Sequence, residues 1–168
     1  STGTKEIAVG GGSALVPTFH ATFDFEHPNS QLFTKVLCAW MRNTSLVAQQ
    51  AWTASTKQCF GESWETFALT YGLGYPVPKA NYTQALIVFL ETPQFQVWKG
   101  YLGTTSVGKV TWLVQEFVGA FDSSAGVEVL EPYYINFEHI MTQFNIDMPT
   151  TMGLRGFQHA AFPSTWVT

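Results

Sequence analysis

Histidine is the side chain whose charge changes near neutral pH, so the histidines are the first residues to test for chemistry. The sequence contains four of them: His20, His27, His139 and His159. None is spaced as in an HExxH motif, and none stands beside a cysteine in a zinc-binding pattern. The nearest approach to an acid/base pair is Glu138 beside His139, which we interpret as a polar pair on a strand or short helix. His27, directly before Pro28, is interpreted as a loop residue rather than a ligand.

Phosphate-binding and nucleophilic motifs are the next possibility. The run from Gly10 to Ser13 superficially resembles a phosphate-binding loop, but no lysine follows it and no strong strand precedes it, so a flexible linker is favoured. The sequence has no G-x-S-x-G motif and pairs no serine or threonine with a base. We therefore predict no catalytic residue, no cofactor site and no metal site, in a protein that is not an enzyme. An enzyme with an α+β barrel-like fold stays open only because some segments fit helix as well as strand.

The two cysteines, Cys38 and Cys59, are too few to define a disulfide framework, and their spacing fits no zinc motif. Cys38 lies in a predicted amphipathic helix, which favours a reduced, partly buried thiol. A single disulfide is the alternative, and a secreted location would favour it. Two N-x-S/T sequons begin at Asn43 and Asn81; they matter in a secreted protein and are chance matches otherwise.

Composition limits the classes of protein that the chain can belong to. Its 168 residues suffice for one domain with a sizeable core. Charged residues make up only 12% of the chain, against roughly 25% in ordinary soluble domains, so much of the surface is neutral. Interface cores are depleted in charge, which favours an assembly subunit over a secreted domain with a Ser/Thr-rich exterior. The net charge is −4 and the eight basic residues are scattered, which argues against strong nucleic-acid binding.

Targeting signals are also not evident. The first residues, STGTKEIAVGGG, have neither a basic region nor an apolar region of a signal peptide, and no window approaches the length of a membrane span. The chain begins with Ser1, which fits a processed product: removal of methionine, cleavage of a signal, or excision from a polyprotein.

Alternating apolar and polar residues from Thr18 to Phe25 predict a half-buried strand. An amphipathic helix follows, with Asn29 or Ser30 as its predicted cap, an apolar face at the 3.6-residue period, and Asn43 as its end. Ser45 to Ser55 is interpreted as a strand, with a second helix as the alternative. The other predicted strands are Lys5 to Val9, Trp64 to Tyr71, Tyr82 to Glu91, Phe95 to Leu102, Gly108 to Val118, Val127 to Leu130 and Tyr133 to Phe144.

These elements together predict an all-β fold, an antiparallel β jelly roll or sandwich with one short amphipathic helix. The predicted organisation is an N-terminal arm over residues 1–16, a jelly-roll domain over residues 17–148 and an extended C-terminal tail over residues 149–168. The predicted core residues are Phe23, Val36, Trp40, Val88 and Trp112.

The stretch from His27 to Ala48 resembles the coat proteins of picorna-like plant viruses of the secovirus family, the comovirus, nepovirus and cheravirus group. In that group an Asn-Pro or Asn-Ser start leads into a short helix, a tryptophan, a turn and a long jelly-roll strand. Asn29-Ser30 matches the start, and Ala39-Trp40 matches the helix end. A fainter match covers Ala85 to Leu90 and Trp112 to Val129, so the resemblance extends over roughly half of the chain.

The resemblance implies a structural viral capsid protein that assembles with other coat proteins into an icosahedral shell around an RNA genome. It implies a homo- and hetero-oligomeric shell, weak or indirect contact with genomic RNA, no membrane, and a virion location after assembly in the host cytoplasm. The segment from Lys57 to Asn81 is longer than in the small comovirus subunit and fits a cheravirus-like set of three coat proteins. Release from a viral polyprotein would then explain the start at Ser1.

The alternative function is a secreted β-sandwich binding module for carbohydrate or another ligand, with the aromatic residues as a stacking platform. A disulfide between Cys38 and Cys59, or glycans on Asn43 or Asn81, would favour this alternative over the capsid subunit.

Overall fold

The fold is mainly helical, and the predicted all-β jelly roll is wrong. The computed structural model describes residues 5–9, 12–16, 24–48, 59–113, 115, 119–120 and 126–147. Within these ranges the chain forms four α-helices, one 3₁₀ helix and two antiparallel two-stranded sheets. The helices are α1 (Pro28–Asn43), α2 (Phe60–Thr70), α3 (Lys79–Glu91) and α4 (Val127–Asp147), with the 3₁₀ helix at Gln96–Gly100.

Helix α1 confirms the predicted amphipathic helix and its end at Asn43. Its cap is His27 rather than Asn29 or Ser30: the His27 Nδ1 accepts a hydrogen bond from the Asn29 backbone N–H at 3.1 Å. Pro28 occupies the first turn, where its fixed φ suits a helix and its missing N–H would have no partner anyway. The buried face of the helix consists of Ser30, Gln31, Phe33, Thr34, Leu37, Cys38 and Met41.

Helix α2 replaces the strand predicted from Trp64 to Tyr71. Its buried aromatic residues are Phe60, Trp64 and Phe67, spaced by four and three residues, which is the period of one helix face. Leu69 and Tyr71, which the strand prediction counted as packing positions, are 60% and 52% exposed. The prediction failed because it began the pattern after Phe60 and so missed the first member of the helical face.

Helix α3 replaces the central strand predicted from Tyr82 to Glu91. Tyr82, Ala85, Leu86 and Phe89 are buried, again at helical spacing. Ile87 and Val88 raise the β propensity of the segment, but local propensity is weaker than the gain from burying one complete apolar face.

Helix α4 runs as one element through both strands predicted at Val127 to Leu130 and Tyr133 to Phe144. Pro132 lies inside it, between the two predicted strands, and proline is unfavourable in a helix interior. Leu130 and Phe137 are buried and Tyr133 and Ile140 are half-buried, so the inner face repeats at helical spacing.

The two sheets are small. Strand β1 (Lys5–Val9) pairs with β2 (Gly12–Val16), which confirms the predicted strand from Lys5 to Val9. Strand β3 (Leu102–Thr104) pairs with β4 (Val110–Leu113), so the strand predicted from Gly108 to Val118 is confirmed in part. The strand predicted from Phe95 to Leu102 is instead the 3₁₀ helix and the start of β3.

The main core is aromatic and surrounds Trp64. The centroid of the Trp64 ring lies 5.2 Å from that of Tyr82, 5.3 Å from that of Phe89 and 5.6 Å from that of Phe67. Residues from α2, α3, the 3₁₀ helix and the β3–β4 sheet therefore share one buried cluster with Phe25 and Phe33. Large rings at such distances contribute edge-to-face attraction in addition to the burial of apolar area.

Two of the predicted core residues are on the surface. Val36 is 54% exposed on α1 and Val88 is 38% exposed on α3, because each lies on the face of its helix that turns away from the aromatic cluster. Trp40 is partly buried and packs on Phe137 of α4, with ring centroids 6.4 Å apart. Phe23 and the side chain of Trp112 lie outside the described part of the chain.

The remaining predictions fall partly outside the described residues. The strand predicted from Thr18 to Phe25 is described only at Asp24 and Phe25, which are not in a strand. The strand predicted from Ser45 to Ser55 is described only up to Ala48, where Val47 forms an isolated bridge with Gly119. The boundaries of the arm, the domain and the tail stay predictions, and the tail at residues 149–168 lies outside the described ranges.

Candidate functional site

The densest group of charged side chains lies where the segment before α1 meets the start of α3. The Lys79 Nζ lies 2.9 Å from the Asp24 Oδ2 and 3.8 Å from the Glu26 Oε2. The Asp24 Oδ1 also accepts a hydrogen bond from the Glu26 backbone N–H at 3.1 Å. Lys79 therefore pairs with two carboxylates and fastens the entrance of α1 to the first residue of α3.

Asp24 and Lys79 favour each other's ionised forms. Partial burial alone would raise the pKa of the Asp24 carboxyl, but the hydrogen bond from Lys79 and its positive charge outweigh burial and lower that pKa below 3.8. The hydrogen bond to Asp24 raises the pKa of Lys79 above 10.5. An effective general acid or base has a pKa near the working pH. Asp24 and Lys79 are both shifted away from that range, so the pair is suited to holding structure.

The Tyr82 hydroxyl lies close to these charges and is the buried side-chain polar atom without a hydrogen-bond partner in the described residues. Burial raises its pKa well above 10.0, and the negative charges of Glu26 and Asp24 add to the shift. The phenol is therefore neutral at physiological pH. A buried hydroxyl without a hydrogen-bond partner destabilises a fold. The Tyr82 hydroxyl therefore does not stabilise this arrangement.

Gln31 is the buried polar residue with the most complete hydrogen bonding. Its Oε1 accepts from the Trp64 Nε1 at 2.9 Å and from the Val77 backbone N–H at 2.8 Å. Its Nε2 donates to the backbone carbonyls of Val77 at 2.9 Å and Glu26 at 3.2 Å. The Gln31 side chain thus joins α1, α2 and the segment leading into α3.

The two histidines in the described ranges, His27 and His139, lie on different elements. The His27 imidazole caps α1, and His139 is exposed on α4, where it lines an open depression with Glu131, Pro132, Ile135 and Asn136. Glu138, predicted to be a polar neighbour of His139, lies on the same helix. His20 and His159 lie outside the described ranges. Of the glycine run, Gly12 and Ser13 belong to β2, which supports a hairpin position rather than a phosphate loop.

Among the residues that the structure describes, no three histidine, cysteine, aspartate or glutamate side chains form a group that could hold a metal ion.

Cys38 and Cys59 form a disulfide, so the reduced thiol favoured from the sequence is wrong. The two Cα atoms are 5.7 Å apart, within the range that disulfides adopt, and both residues are 1% exposed. Cys38 lies in the middle of α1, and Cys59 is the residue that precedes α2. The bond therefore fixes the start of α2 against α1 across a sequence separation of 21 residues.

The surroundings of the disulfide also tie α1 to α2. The Lys35 Nζ lies 2.5 Å from the Glu65 Oε1, and the Arg42 guanidinium forms a bidentate pair with the Glu62 carboxylate. At Gly61 helix α2 lies close to the backbone of α1, because an added Cβ there would lie 2.6 Å from the Thr34 carbonyl carbon.

The two sequon asparagines are both exposed. Asn43 is the last residue of α1, and its Nδ2 donates to the Ala39 carbonyl at 2.7 Å. Asn81 lies in the first turn of α3 and precedes the buried Tyr82. Both asparagines can therefore carry a large substituent without displacing a core residue.

The functional residues that the sequence reasoning missed are those whose partners are distant in the chain. Gln31 and Val77 are 46 residues apart, and Asp24 and Lys79 are 55 residues apart. No local pattern marks such pairs. The two cysteines were the one visible signal, and their pairing could be named as an alternative because only one pairing of two cysteines exists.

Comparison with known proteins gave no relative: no protein family, no curated protein and no solved structure matches the chain. The resemblance to secovirus coat proteins therefore stays a prediction.

A separate observation concerns membranes. None of the helices in the described part of the chain is both long enough and apolar enough to cross a bilayer.

Proposed function

We propose that this chain is a non-catalytic binding domain of a secreted protein, made in an oxidising compartment. The single observation that carries the proposal is the disulfide between Cys38 and Cys59. Structural disulfides form and persist in secreted proteins and are rare where glutathione and thioredoxin keep thiols reduced. The secreted binding module was the alternative that this disulfide would favour; the β-sandwich attributed to it is replaced by the helical fold.

The position of the disulfide favours a structural bond over a catalytic or regulatory one. Catalytic and redox-sensing cysteines are accessible to solvent and lie in electropositive surroundings. Both cysteines here are buried, and their apolar neighbours are Leu37, Met41 and Val47. A bond in such a place stabilises the α1–α2 contact and is not reduced and re-formed as part of the function.

The buried amide of Gln31 and the Asp24–Lys79 ion pair hold the structure and do not favour catalysis. Gln31 satisfies buried backbone groups, and the Asp24–Lys79 pair holds the start of α3. The protonation states of Asp24 and Lys79 do not change near neutral pH, as their shifted pKa values require. Neither arrangement leaves a group free to exchange a proton with a substrate.

The outer face of α4 is the surface that best fits a protein partner. Val127, Ile135 and Ile146 are exposed on this helix, and Ile135 borders an open depression that Glu131, Pro132, Asn136 and His139 also line. Exposed apolar side chains beside polar and charged groups fit a protein interface, which combines an apolar centre with a polar rim. The aromatic rings of the cluster around Trp64 do not form a stacking platform for carbohydrate, because they are buried.

Subcellular fractionation of cells that produce the chain tests the proposal. We expect the chain in the culture medium or in the lumen of sealed secretory vesicles, and the lumenal chain should be degraded by added protease only after detergent opens the membrane. A chain found in the cytosolic fraction, degraded without detergent, would overturn the proposal.

A subunit of a larger assembly is the second candidate. The low charge of 12% and the exposed apolar residues of α4 favour it. The coat-protein expectation depended on a jelly roll, so only its broader content, association with copies of itself or with other chains, is retained. Sedimentation of native material in particles of megadalton mass would favour this candidate, and a monomer would favour the first.

A further inference from the structure

We propose that Asn43 and Asn81 carry N-linked glycans. The proposal rests on the secreted location proposed above, because the sequon is read in the secretory pathway. Each asparagine begins a complete sequon, Asn43-Thr44-Ser45 and Asn81-Tyr82-Thr83, and each is exposed in the folded chain. The glycans would be compatible with the fold at both positions.

The chemistry of the transfer leaves the local structure at Asn43 intact. A bond forms between the Asn43 Nδ2 and the anomeric carbon of an oligosaccharide carried on a lipid diphosphate. The bond between that carbon and the phosphate oxygen breaks, and the amide gives up one proton. The amide nitrogen keeps its second N–H, which can still donate to the Ala39 carbonyl as it does at 2.7 Å here.

The two sequons have different environments, but the asparagine is exposed to solvent in both. Asn43 ends α1, and the next residue, Thr44, has an extended backbone, so the sequon lies where the chain leaves the helix. Asn81 lies in the first turn of α3, whose buried residues in that turn and the next are Tyr82, Ala85 and Leu86. No hydrogen bond of the core would be broken by a substituent on either amide.

Each sequon asparagine lies on the same helix face as an exposed valine. Val36 precedes Asn43 by seven residues on α1, and Val88 follows Asn81 by seven residues on α3. Seven residues are about two helical turns, or about 10 Å along the axis, so each valine lies on the same helix face as its asparagine. A branched oligosaccharide of several sugars can cover an apolar side chain at that distance.

A glycan at each asparagine would cover a valine that the sequence was predicted to place in the core. Val36 and Val88 are apolar, large and exposed, at 54% and 38%. A sugar face can shield them from other chains, in the way that a neutral, solvated surface protects an exposed apolar patch from association.

Expression of the chain with a secretory leader in a eukaryotic cell, followed by peptide N-glycosidase treatment, tests the two sites. We expect the mass of the secreted protein to be increased in two steps, one for each glycan, and the enzyme should remove both steps. Asn43→Gln and Ser45→Ala should each lose one step, and Asn81→Gln and Thr83→Ala should lose the other. Thr83→Ser, which keeps the hydroxyl, and Asn136→Gln, an exposed asparagine outside any sequon, should keep both steps.

The natural material provides the decisive sample, since a leader forces the chain into the pathway. Enzymatic release of glycans in heavy-oxygen water should convert Asn43 and Asn81 to labelled aspartate, as read by peptide mass spectrometry. Unlabelled asparagine at either position in the natural chain would overturn the proposal for that site.

Thiol labelling of the same sample separates this inference from the proposed function. Unlabelled asparagines in a chain whose Cys38–Cys59 bond is intact would reject the glycans and leave the secreted domain standing. Free thiols at both cysteines would reject the secreted domain itself.

A dye-binding measurement tests the shielding of the valines. Removal of the glycans should increase the fluorescence of a dye that binds apolar surface, and Val36→Thr with Val88→Thr should abolish most of that increase. Val107→Thr is the matched control, because Val107 is 75% exposed in the turn between β3 and β4. An increase that persists in the Val36/Val88 variant would contradict the shielding.

Discussion

Gln31 and Val77 hydrogen-bond to each other in both directions: the Gln31 Nε2 donates to the Val77 carbonyl at 2.9 Å, and its Oε1 accepts from the Val77 N–H at 2.8 Å. The side-chain amide thus pairs with a peptide group as a neighbouring β-strand would. Both residues are fully buried, and the Tyr75 hydroxyl adds a bond of 2.7 Å to the Gln31 carbonyl. This contact holds the segment before α3 against α1.

Replacement of Gln31 by leucine should destabilise the chain by about 3 kcal/mol or more, because it leaves the peptide groups of Val77 and the indole N–H of Trp64 unpaired in the core. Urea denaturation measures the change. Gln84→Leu on the exposed face of α3 is the matched control and should change the free energy of unfolding by less than about 0.5 kcal/mol. Equal losses in the two variants would contradict a special role for Gln31.

Tyr82→Phe should leave stability unchanged or raise it, since the hydroxyl removed is buried and has no hydrogen-bond partner among the described residues. Tyr75→Phe is the comparison. Its hydroxyl donates to Gln31, so its removal should cost about 1 kcal/mol. Thermal melts of the two variants measure the difference. A Tyr82→Phe protein that loses more stability than Tyr75→Phe would show that the Tyr82 hydroxyl has a partner.

Gly61→Ala should destabilise the contact of α1 with α2 by about 2 kcal/mol, because the new Cβ would meet the Thr34 backbone and neither helix can yield without strain. Gly100→Ala is the control. A Cβ there meets nothing within 4 Å, so its effect should be near zero. The melting temperatures of both variants test the pair, and a tolerated Gly61→Ala would mean that the helices are farther apart than described.

Replacement of both cysteines by alanine should lower the free energy of unfolding by about 3 kcal/mol, the value expected for a closed loop of this length. Reductant should lower the stability of the unmodified chain by a similar amount and leave the double variant unchanged. Calorimetry with and without reductant measures both effects. A reductant effect that persists in the double variant would have a source other than Cys38 and Cys59.

The stability of the chain should decrease at acid pH through the Asp24–Lys79 pair. The pKa of Asp24 is lower in the folded chain than its ordinary value of 3.8, so its contribution is fully present above 3.8 and is lost as the pH falls through the lowered value. Asp24→Asn and Lys79→Met should each flatten that part of the curve of unfolding free energy against pH. Identical curves for the variants and the unmodified chain would show that the pair is absent in solution.

The α1 helix was predictable because its information is local. A proline at the first turn, an apolar face at a single period and an asparagine at the end all point to one element. The strand from Lys5 to Val9 was also predictable locally, since a short segment with two β-branched residues, Ile7 and Val9, ends at a glycine run.

The other helices were not predicted because their local preferences conflict with their packing. In α3, Ile87 and Val88 favour strand locally, yet Tyr82 and Phe89 gain more by packing on Trp64. In α4, Pro132 is unfavourable in a helix interior, yet the helix continues through it. The candidate site could be predicted even less well from the sequence, because only the tertiary fold brings the partners of Gln31 and Asp24 close to them.

Peptide mapping under non-reducing conditions is the most direct test of the central claim, that the chain is an oxidised, secreted domain. The natural material is alkylated at harvest, digested and analysed by mass spectrometry. We predict one disulfide-linked species joining the peptides of Cys38 and Cys59, with neither cysteine alkylated before reduction. Alkylation of both cysteines before reduction would contradict the account.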